Sequence, residues 1–408
     1  MHSSSPATGG ALRHLGLILL ASACGGATEA GDAPDPGGAS ALAVGASHAC
    51  ALSADGGVFC WGRGLEGQLG VGPELPEMRP PVAVSGTGNT FIAVAAGGSH
   101  TCALDRDGAA FCWGANDSGQ LGVESSLIVR CGQLDCSPSP QPVAGGHRFT
   151  AVVAGHQFSC GLEADGGVWC WGAGDVGQLG RRVTEECNGL RCSRLPVEVE
   201  GGIRLRTLSA GRGHACGLDA DGAAICWGYN YQGQLGRGDR IDSPVALPVV
   251  GGQRFRQVSA GGLHTCALTT RGSAFCWGID ALGAGTAVLA SDEPVAVAGG
   301  GSYDRIEAAR FTTCAIREDR LVECWGANLD SEVGVPSAGS TQRFDEPIRA
   351  AGDQRFGTIA GKYSTYCGVA EIGGIYCWGE GEEGQLGSGI EDSAVPVQVG
   401  QPADLTFR

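Results

Sequence analysis

Apolar side chains alternate between two faces in seven short stretches of this chain, each built around two cysteines ten residues apart. In Cys50-Ala-Leu-Ser-Ala-Asp-Gly-Gly-Val-Phe-Cys60 the alternation fits two antiparallel strands joined by the loop Ala54-Asp55-Gly56, with Gly56 left-handed. This register sets the two cysteines opposite each other, at a separation that a disulfide tolerates. The same spacing pairs Cys102 with Cys112, Cys160 with Cys170, Cys216 with Cys226, Cys266 with Cys276, Cys314 with Cys324 and Cys367 with Cys377. The loop returns as Arg106-Asp107-Gly108, Ala164-Asp165-Gly166, Ala220-Asp221-Gly222 and Thr270-Arg271-Gly272, while the sixth repeat reads Glu318-Asp319-Arg320 without glycine.

Both faces of these hairpins are apolar. One carries Leu52 opposite Val58, and its counterparts down to Val369 opposite Ile375; the other carries Phe59 with Trp61 against the small Ala49 and Ala51. A small sheet apolar on both sides must be covered on both, which radial stacking of sheets around an axis achieves. The pairs recur every 48 to 58 residues, the period of an array rather than of separate folds. We therefore expect one all-β domain over 41–408, a seven-bladed β-propeller of repeated four-stranded antiparallel blades. An apolar residue eight positions before each first cysteine, from Leu42 to Ile359, marks a further strand, and the chain ends Leu405-Thr406-Phe407-Arg408 where an eighth repeat would begin. The last and first repeats should lie side by side, with the C-terminal segment meeting the strand that starts near Ala41.

Composition adds the compartment. Of nineteen cysteines, fourteen form the hairpin pairs, Cys131 with Cys136 and Cys187 with Cys192 account for four, and Cys24 is left over. Paired thiols at this density indicate an oxidised, exported protein; exchange between the last two pairs, such as Cys131 to Cys187, stays open. Zinc is disfavoured because the pairs are spread around a ring within apolar strands. The apolar stretch from Leu15 to Ala23 after Arg13 and His14 reads as a signal peptide over 1–23. It ends Leu20-Ala21-Ser22-Ala23-Cys24, which resembles a bacterial lipobox with its leucine one place early. Residues 24–40, rich in Gly, Ala and Pro, would then be a flexible linker lipid-anchored at Cys24, holding the domain at the bacterial cell envelope.

Forty-three acidic against twenty-seven basic residues give a net charge of −16, with a single lysine, Lys362. Nucleic acid is a poor partner for such a surface. Catalytic patterns are sparse. His48, His100, His214 and His264 share one repeat position, but Phe158, Thr312 and Thr365 fill it elsewhere, so a complete metal or catalytic ring is excluded and a structural hydrogen bond is expected. The calcium-like Asp105-x-Asp107-Gly108 and Asp219-x-Asp221-Gly222 coincide with hairpin turns. No cofactor is expected.

Asp-Gly-Gly-Val-Phe-Cys-Trp-Gly followed by Gly67-Gln68-Leu69-Gly70 resembles the repeat of the regulator-of-chromosome-condensation family, whose members are seven-bladed propellers. The Gly-Gln-Leu-Gly element returns at Gly119, Gly177, Gly233 and Gly384 and has decayed to Ala281-Leu282-Gly283 and Glu332-Val333-Gly334 in repeats five and six. Ser53-x-Asp55-x-Gly57 partly mimics the Asp-box of sialidase-like propellers, which the Trp-Gly and Gly-Gln-Leu-Gly elements oppose. The resemblance implies nucleotide exchange on a small GTPase and chromatin binding in the best-known relatives, and inhibition of a β-lactamase in secreted bacterial ones. One fold hosts many activities, so it bears on architecture more than function.

The repeats differ most after Gly-Gln-Leu-Gly in the second and third, where Cys131-Gly-Gln-Leu134-Asp-Cys136-Ser137 matches Cys187-Asn-Gly-Leu190-Arg-Cys192-Ser193. Long loops on a rigid scaffold are places where propellers bind. Ile128, Val129, Arg130, Leu134, Leu190, Arg191, Arg194 and Leu195 are the candidate contacts. The expectation is a monomeric, non-enzymatic binding scaffold for a protein or surface polymer. The alternatives are a glycan-acting enzyme with its site at the axial mouth, and an exchange regulator by family analogy.

Overall fold

The structure, a computed structural model, describes residues 41–400 apart from 74, 75, 87, 89 and 339–341. The leader 1–23, Cys24, the linker 24–40 and the C-terminal segment 401–408 lie outside the described residues.

Seven antiparallel sheets follow one another along the chain. In the first blade, β1 (Leu42–Val44), β2 (His48–Leu52), β3 (Val58–Arg63) and β4 (Met78–Ala83) run outward in sequence order. The hairpin register pairs Cys50 with Cys60, Ala49 with Trp61 and Leu52 with Val58. All seven expected hairpin disulfides are present: Cys50 is bonded to Cys60, Cys102 to Cys112, Cys160 to Cys170 and Cys216 to Cys226. Cys266 is likewise bonded to Cys276, Cys314 to Cys324 and Cys367 to Cys377. Their Cα atoms are 4.0–4.1 Å apart, the close spacing of a non-hydrogen-bonded cross-strand pair. Gly56 turns the first hairpin at φ 89°; in the sixth blade Arg320 takes that left-handed place at φ 68°.

The four-stranded blade needs correction in two places. The second and third blades have five strands, because each insert folds as a hairpin on the outer edge: Val129–Cys131 on Leu134–Pro142, and Glu185–Cys187 on Leu190–Glu198. Cys131 is bonded to Cys136 and Cys187 to Cys192, each within its own hairpin, at Cα separations of 5.7 and 5.8 Å. The turn Asn188-Gly189, with φ 51° and 81°, lets the second of these hairpins reverse in two residues.

Blades are joined by one repeated bond. The Trp-Gly indole of each blade is fully buried, and its Nε1 donates to a main-chain carbonyl of the preceding blade. Trp113, Trp171, Trp227 and Trp277 reach Gln68, Gln120, Gln178 and Gln234 at 2.9–3.0 Å. Trp325 reaches Ala281 at 2.9 Å and Trp378 reaches Glu332 at 3.1 Å, so the two decayed loops still supply the acceptor. The glutamine side chain acts within its own loop, where Gln68 Oε1 accepts from the Glu66 amide 3.0 Å away.

The ring closes by the same contact, with Trp61 Nε1 donating to the Gln385 carbonyl at 2.8 Å. Leu42, Val44 and Trp61 pack there with Ile375, Leu386 and Val399 of the last blade. Truncation after Pro396, which removes the buried Val399, should lower the cooperative unfolding midpoint of the whole domain. Trp61→Phe should cost about 1–3 kcal/mol, the range for leaving a buried acceptor unpaired, read from the shift in urea midpoint. An unchanged midpoint in both would show that this junction does not limit stability.

Candidate functional site

The four histidines at one repeat position are fully buried and make inter-blade bonds. His48 Nε2 meets Thr101 Oγ1, His100 meets Ser159, His214 meets Thr265 and His264 meets Thr313, at 2.8–2.9 Å. These hydroxyls donate onward, Thr101 to the Gln68 carbonyl at 2.9 Å, so the imidazole must donate through Nε2 and leave Nδ1 bare. Burial holds His48 down to about 4 and the other three to about 3, so all are neutral at pH 7. Where the third blade has Phe158, its neighbour offers Ala215 instead of a hydroxyl, and the two pack in one core cluster. The position is structural in every blade.

A second regularity surrounds it. Three residues before each histidine stands Gly45, Gly97, Gly211 or Gly261, and a Cβ on Gly97 would lie 2.2 Å from the His100 ring. In the sixth and seventh blades the large partner shrinks to Thr312 and Thr365, and the glycine grows to Ala309 and Lys362. The lysine enters an axial cavity of about 570 Å³ walled by the innermost strands of all seven blades. Its Nζ donates to the carbonyls of Ala96, Ala154 and Ala210, in the second, third and fourth blades, at 3.3 and 3.4 Å for the first and last. Burial pulls its pKa down to about 8. Next to it Tyr363, at φ 53°, bonds across the axis to His156 Nδ1. Burial pushes the Tyr363 hydroxyl up to about 12, and burial with Arg212 and Lys362 nearby lowers His156, so both rings are neutral. The lysine was visible in the sequence as a lone residue; aligning it with the glycines of the other repeats was the signal that would have placed it on the axis.

The inserts rise from the same end of the blades as this mouth, since antiparallel strands bring the first turn and the third loop to one side. Gln157, in the turn beside His156, donates to the Asp117 carboxylate of the neighbouring loop at 3.2 Å. Asn188 at the tip of the third-blade insert donates to the Asp117 carbonyl at 2.8 Å, which ties it to the second blade. A cleft of about 290 Å³ lies between them. Ile128, Val129, Arg130 and Arg194 line it, together with Asp117 and Asn188, which sequence reasoning did not single out. Leu134, Leu190, Arg191 and Leu195 are not on its wall; the three leucines are 40%, 53% and 43% exposed, and Val129 is 51% exposed. The arginines of the cleft are engaged inside their own hairpins, Arg130 with Asp135 at 2.8 Å and Arg194 with Glu185, while Ile128 packs on the second-blade core.

Among the described residues Glu307 is the one acid on the axial cavity wall, whereas glycoside hydrolysis by the common route uses two facing carboxylates. Glu380, raised to about 7 by burial and then by Asp330, Asp392 and Glu382, is not on that wall. Among the described residues no three metal-ligating side chains converge.

A family model described as the RCC1-like domain matches residues 23–298, and one for the regulator of chromosome condensation (RCC1) repeat matches residues 373–407. The ultraviolet-B receptor UVR8 of Arabidopsis thaliana is 32% identical over 204 residues, 49% of this chain and 44% of that protein. The human probable E3 ubiquitin-protein ligase HERC3 is 34% identical over 205 residues, 50% of this chain and 18% of that protein. The chain thus spans less than half the length of these curated relatives. Among solved structures, the Saccharomyces cerevisiae protein Prp20p, described with its binding to Gsp1p and histones, superposes with a TM-score of 0.71 at 26% identity, covering 86% of this chain and 88% of that one. Yeast RCC1 (Prp20) bound to Kap60 superposes equally well, at 25% identity over 86% of each chain.

The histidines make the fold acid-sensitive. Their folded pKa values lie below the unfolded value of about 6.5, so the unfolded chain takes up protons that the folded ring refuses. Stability should therefore be complete above about pH 6.5 and fall as pH drops toward 4, each histidine contributing about 1.4 kcal/mol per pH unit well below its unfolded pKa. Thr313→Ala, which strands the His264 N–H, should cost about 1–3 kcal/mol at pH 7. The double variant His264→Phe/Thr313→Ala, copying the Phe158 and Ala215 pair, should recover most of that and flatten the pH dependence of the urea midpoint by one proton. An unaltered slope would rule out the histidines as its source.

Proposed function

We propose, from the premise that this chain belongs to the RCC1-like domain family, that it is a non-enzymatic binding scaffold whose partner docks on the insert-bearing face of the propeller. The observation that carries this reading is the pair of disulfide-stapled hairpins on adjacent blades, the third-blade one tied by Asn188 to Asp117 in the second-blade loop, which present Val129, Leu134, Leu190 and Leu195 to solvent. Exposed apolar side chains on a rigid edge favour a polypeptide partner over a surface polymer. Relatives support protein binding in kind, since the yeast protein is described bound to Kap60 and binding Gsp1p and histones. The net charge of −16 argues against nucleic acid here. Nucleotide exchange on a GTPase, the reading by family analogy, conflicts with a chain carrying nine disulfides, which belong to an oxidising compartment.

We place the domain outside the cytoplasm, tethered by a lipid on Cys24 through residues 24–40 and acting as a monomer at the cell envelope. The support is the leader pattern and the disulfide density. Cys24→Ser should move the protein from the membrane fraction to the soluble one on fractionation of expressing cells; retention in the membrane would refute the anchor.

Crosslinking on intact cells followed by mass spectrometry would identify the partner. Replacing both inserts by the short connection of the fourth blade, Gly238 to Ser243, should weaken binding of that purified partner at least tenfold with the melting temperature nearly unchanged. Undiminished binding would sink the insert-face reading.

A further inference from the structure

Around the axial mouth, the residues that follow the glycine position are Ala46, Gly98, His156, Arg212, Gly262, Arg310 and Tyr363, one from each blade. Their backbones are chained from turn to turn: Gly98 N donates to the His156 carbonyl at 3.0 Å, Arg212 N to Gly261 at 3.1 Å, Gly262 N to Ala309 at 2.8 Å and Arg310 N to Tyr363 at 3.1 Å. The ring is therefore rigid, and its side chains differ where the scaffold does not require it. Arg212 and Arg310 are exposed, and among the described residues neither guanidinium makes a hydrogen bond or ion pair, although Arg310 lies close enough to Glu380 to act on it electrostatically. Arg310 rests over the Phe311 ring at 4.8 Å. Between the arginines stands Gly262, where a Cβ would lie 2.4 Å from the Arg310 carbonyl, so the space that separates them carries no side chain. The Lys362 cation lies beneath, and among the described residues Glu307 is the only acid lining the cavity.

The geometry points to an anion site at this mouth, in which Arg212 and Arg310 together receive a carboxylate from an acidic polypeptide segment laid across the axis. It rests on the insert-face reading and names the chemistry of the partner there. Two guanidiniums with free donor edges suit a carboxylate, and a concave mouth over a low-dielectric cavity focuses their field. On an otherwise acidic protein, such a spot orients a partner more than it attracts one. The exposed Val129, Leu134, Leu190 and Leu195 on the same face favour a peptide over a polyuronate, because a polypeptide has apolar side chains to bury against them.

The test uses the purified full-length protein and a fluorescein-labelled hexaglutamate peptide, followed by anisotropy at low salt. Binding should be measurable, should fall steeply between roughly 50 and 300 mM salt as screening shortens the reach of the charges, and should weaken at least tenfold in Arg212→Gln/Arg310→Gln. Arg271→Gln, at a hairpin turn on the opposite face, should bind as the unaltered protein does. Equal binding by the double variant, equal loss in Arg271→Gln, or equal affinity for labelled hexaglutamine would overturn the proposal, as would binding of hexagalacturonate without hexaglutamate. The variant with both inserts replaced should keep its hexaglutamate affinity, since the arginines lie in other turns. Failure of the insert experiment and failure of this one are thus read separately.

Discussion

The hydrogen bond from each tryptophan Nε1 to a main-chain carbonyl of the preceding blade is the constraint on which the ring depends. It occurs at all seven junctions, including the closure from Trp61 to Gln385. A blade is a small sheet apolar on both faces and has no stable existence without neighbours. The indole brings a large, fully buried side chain to each junction, and the bond satisfies its one polar atom. Because the acceptor is backbone, the Gly-Gln-Leu-Gly loop can lose its glutamine, as at Ala281, and still hold the next blade.

A second layer of fitting lies closer to the axis. There the glycine position and the residue three places on trade volume within each blade, while the latter trades chemistry with the next blade: histidine with a hydroxyl, Phe158 with Ala215. Four neutral histidines buried in this way tie the integrity of the fold to pH. The seventh blade uses the same trade to admit Lys362, whose reach to carbonyls of three blades across the axis adds a spoke to a structure otherwise held around its rim.

The scaffold accounts for whatever repeats, so the insert face and axial mouth gain interest from what does not. Both lie on one end of the propeller, with apolar contacts on the stapled hairpins and unpaired arginines at the centre. On the proposed reading, the apolar area on the edge would anchor a partner and the charge at the axis would orient it.

Much of the fold was legible in the sequence, because the ten-residue cysteine spacing and the alternation are local and repeated seven times, and an Asp-Gly turn recurs in the first four repeats. Those same features placed the strands of each hairpin and the facing cysteines, and the apolar position eight residues before each first cysteine marked the further strand by which the first repeat meets the last. The inserts were legible as departures from the repeat, though not as a fifth strand, since edge pairing depends on what the outer strand leaves open. What only the tertiary structure decided were relations between blades: that Asn188 reaches Asp117, that Arg130 and Arg194 are spent on carboxylates of their own hairpins, and that Lys362, Tyr363, His156, Arg212 and Arg310 meet at one mouth. These residues are tens to hundreds of positions apart, and the geometry of the whole ring, which depends on the packing of all seven blades, sets their distances.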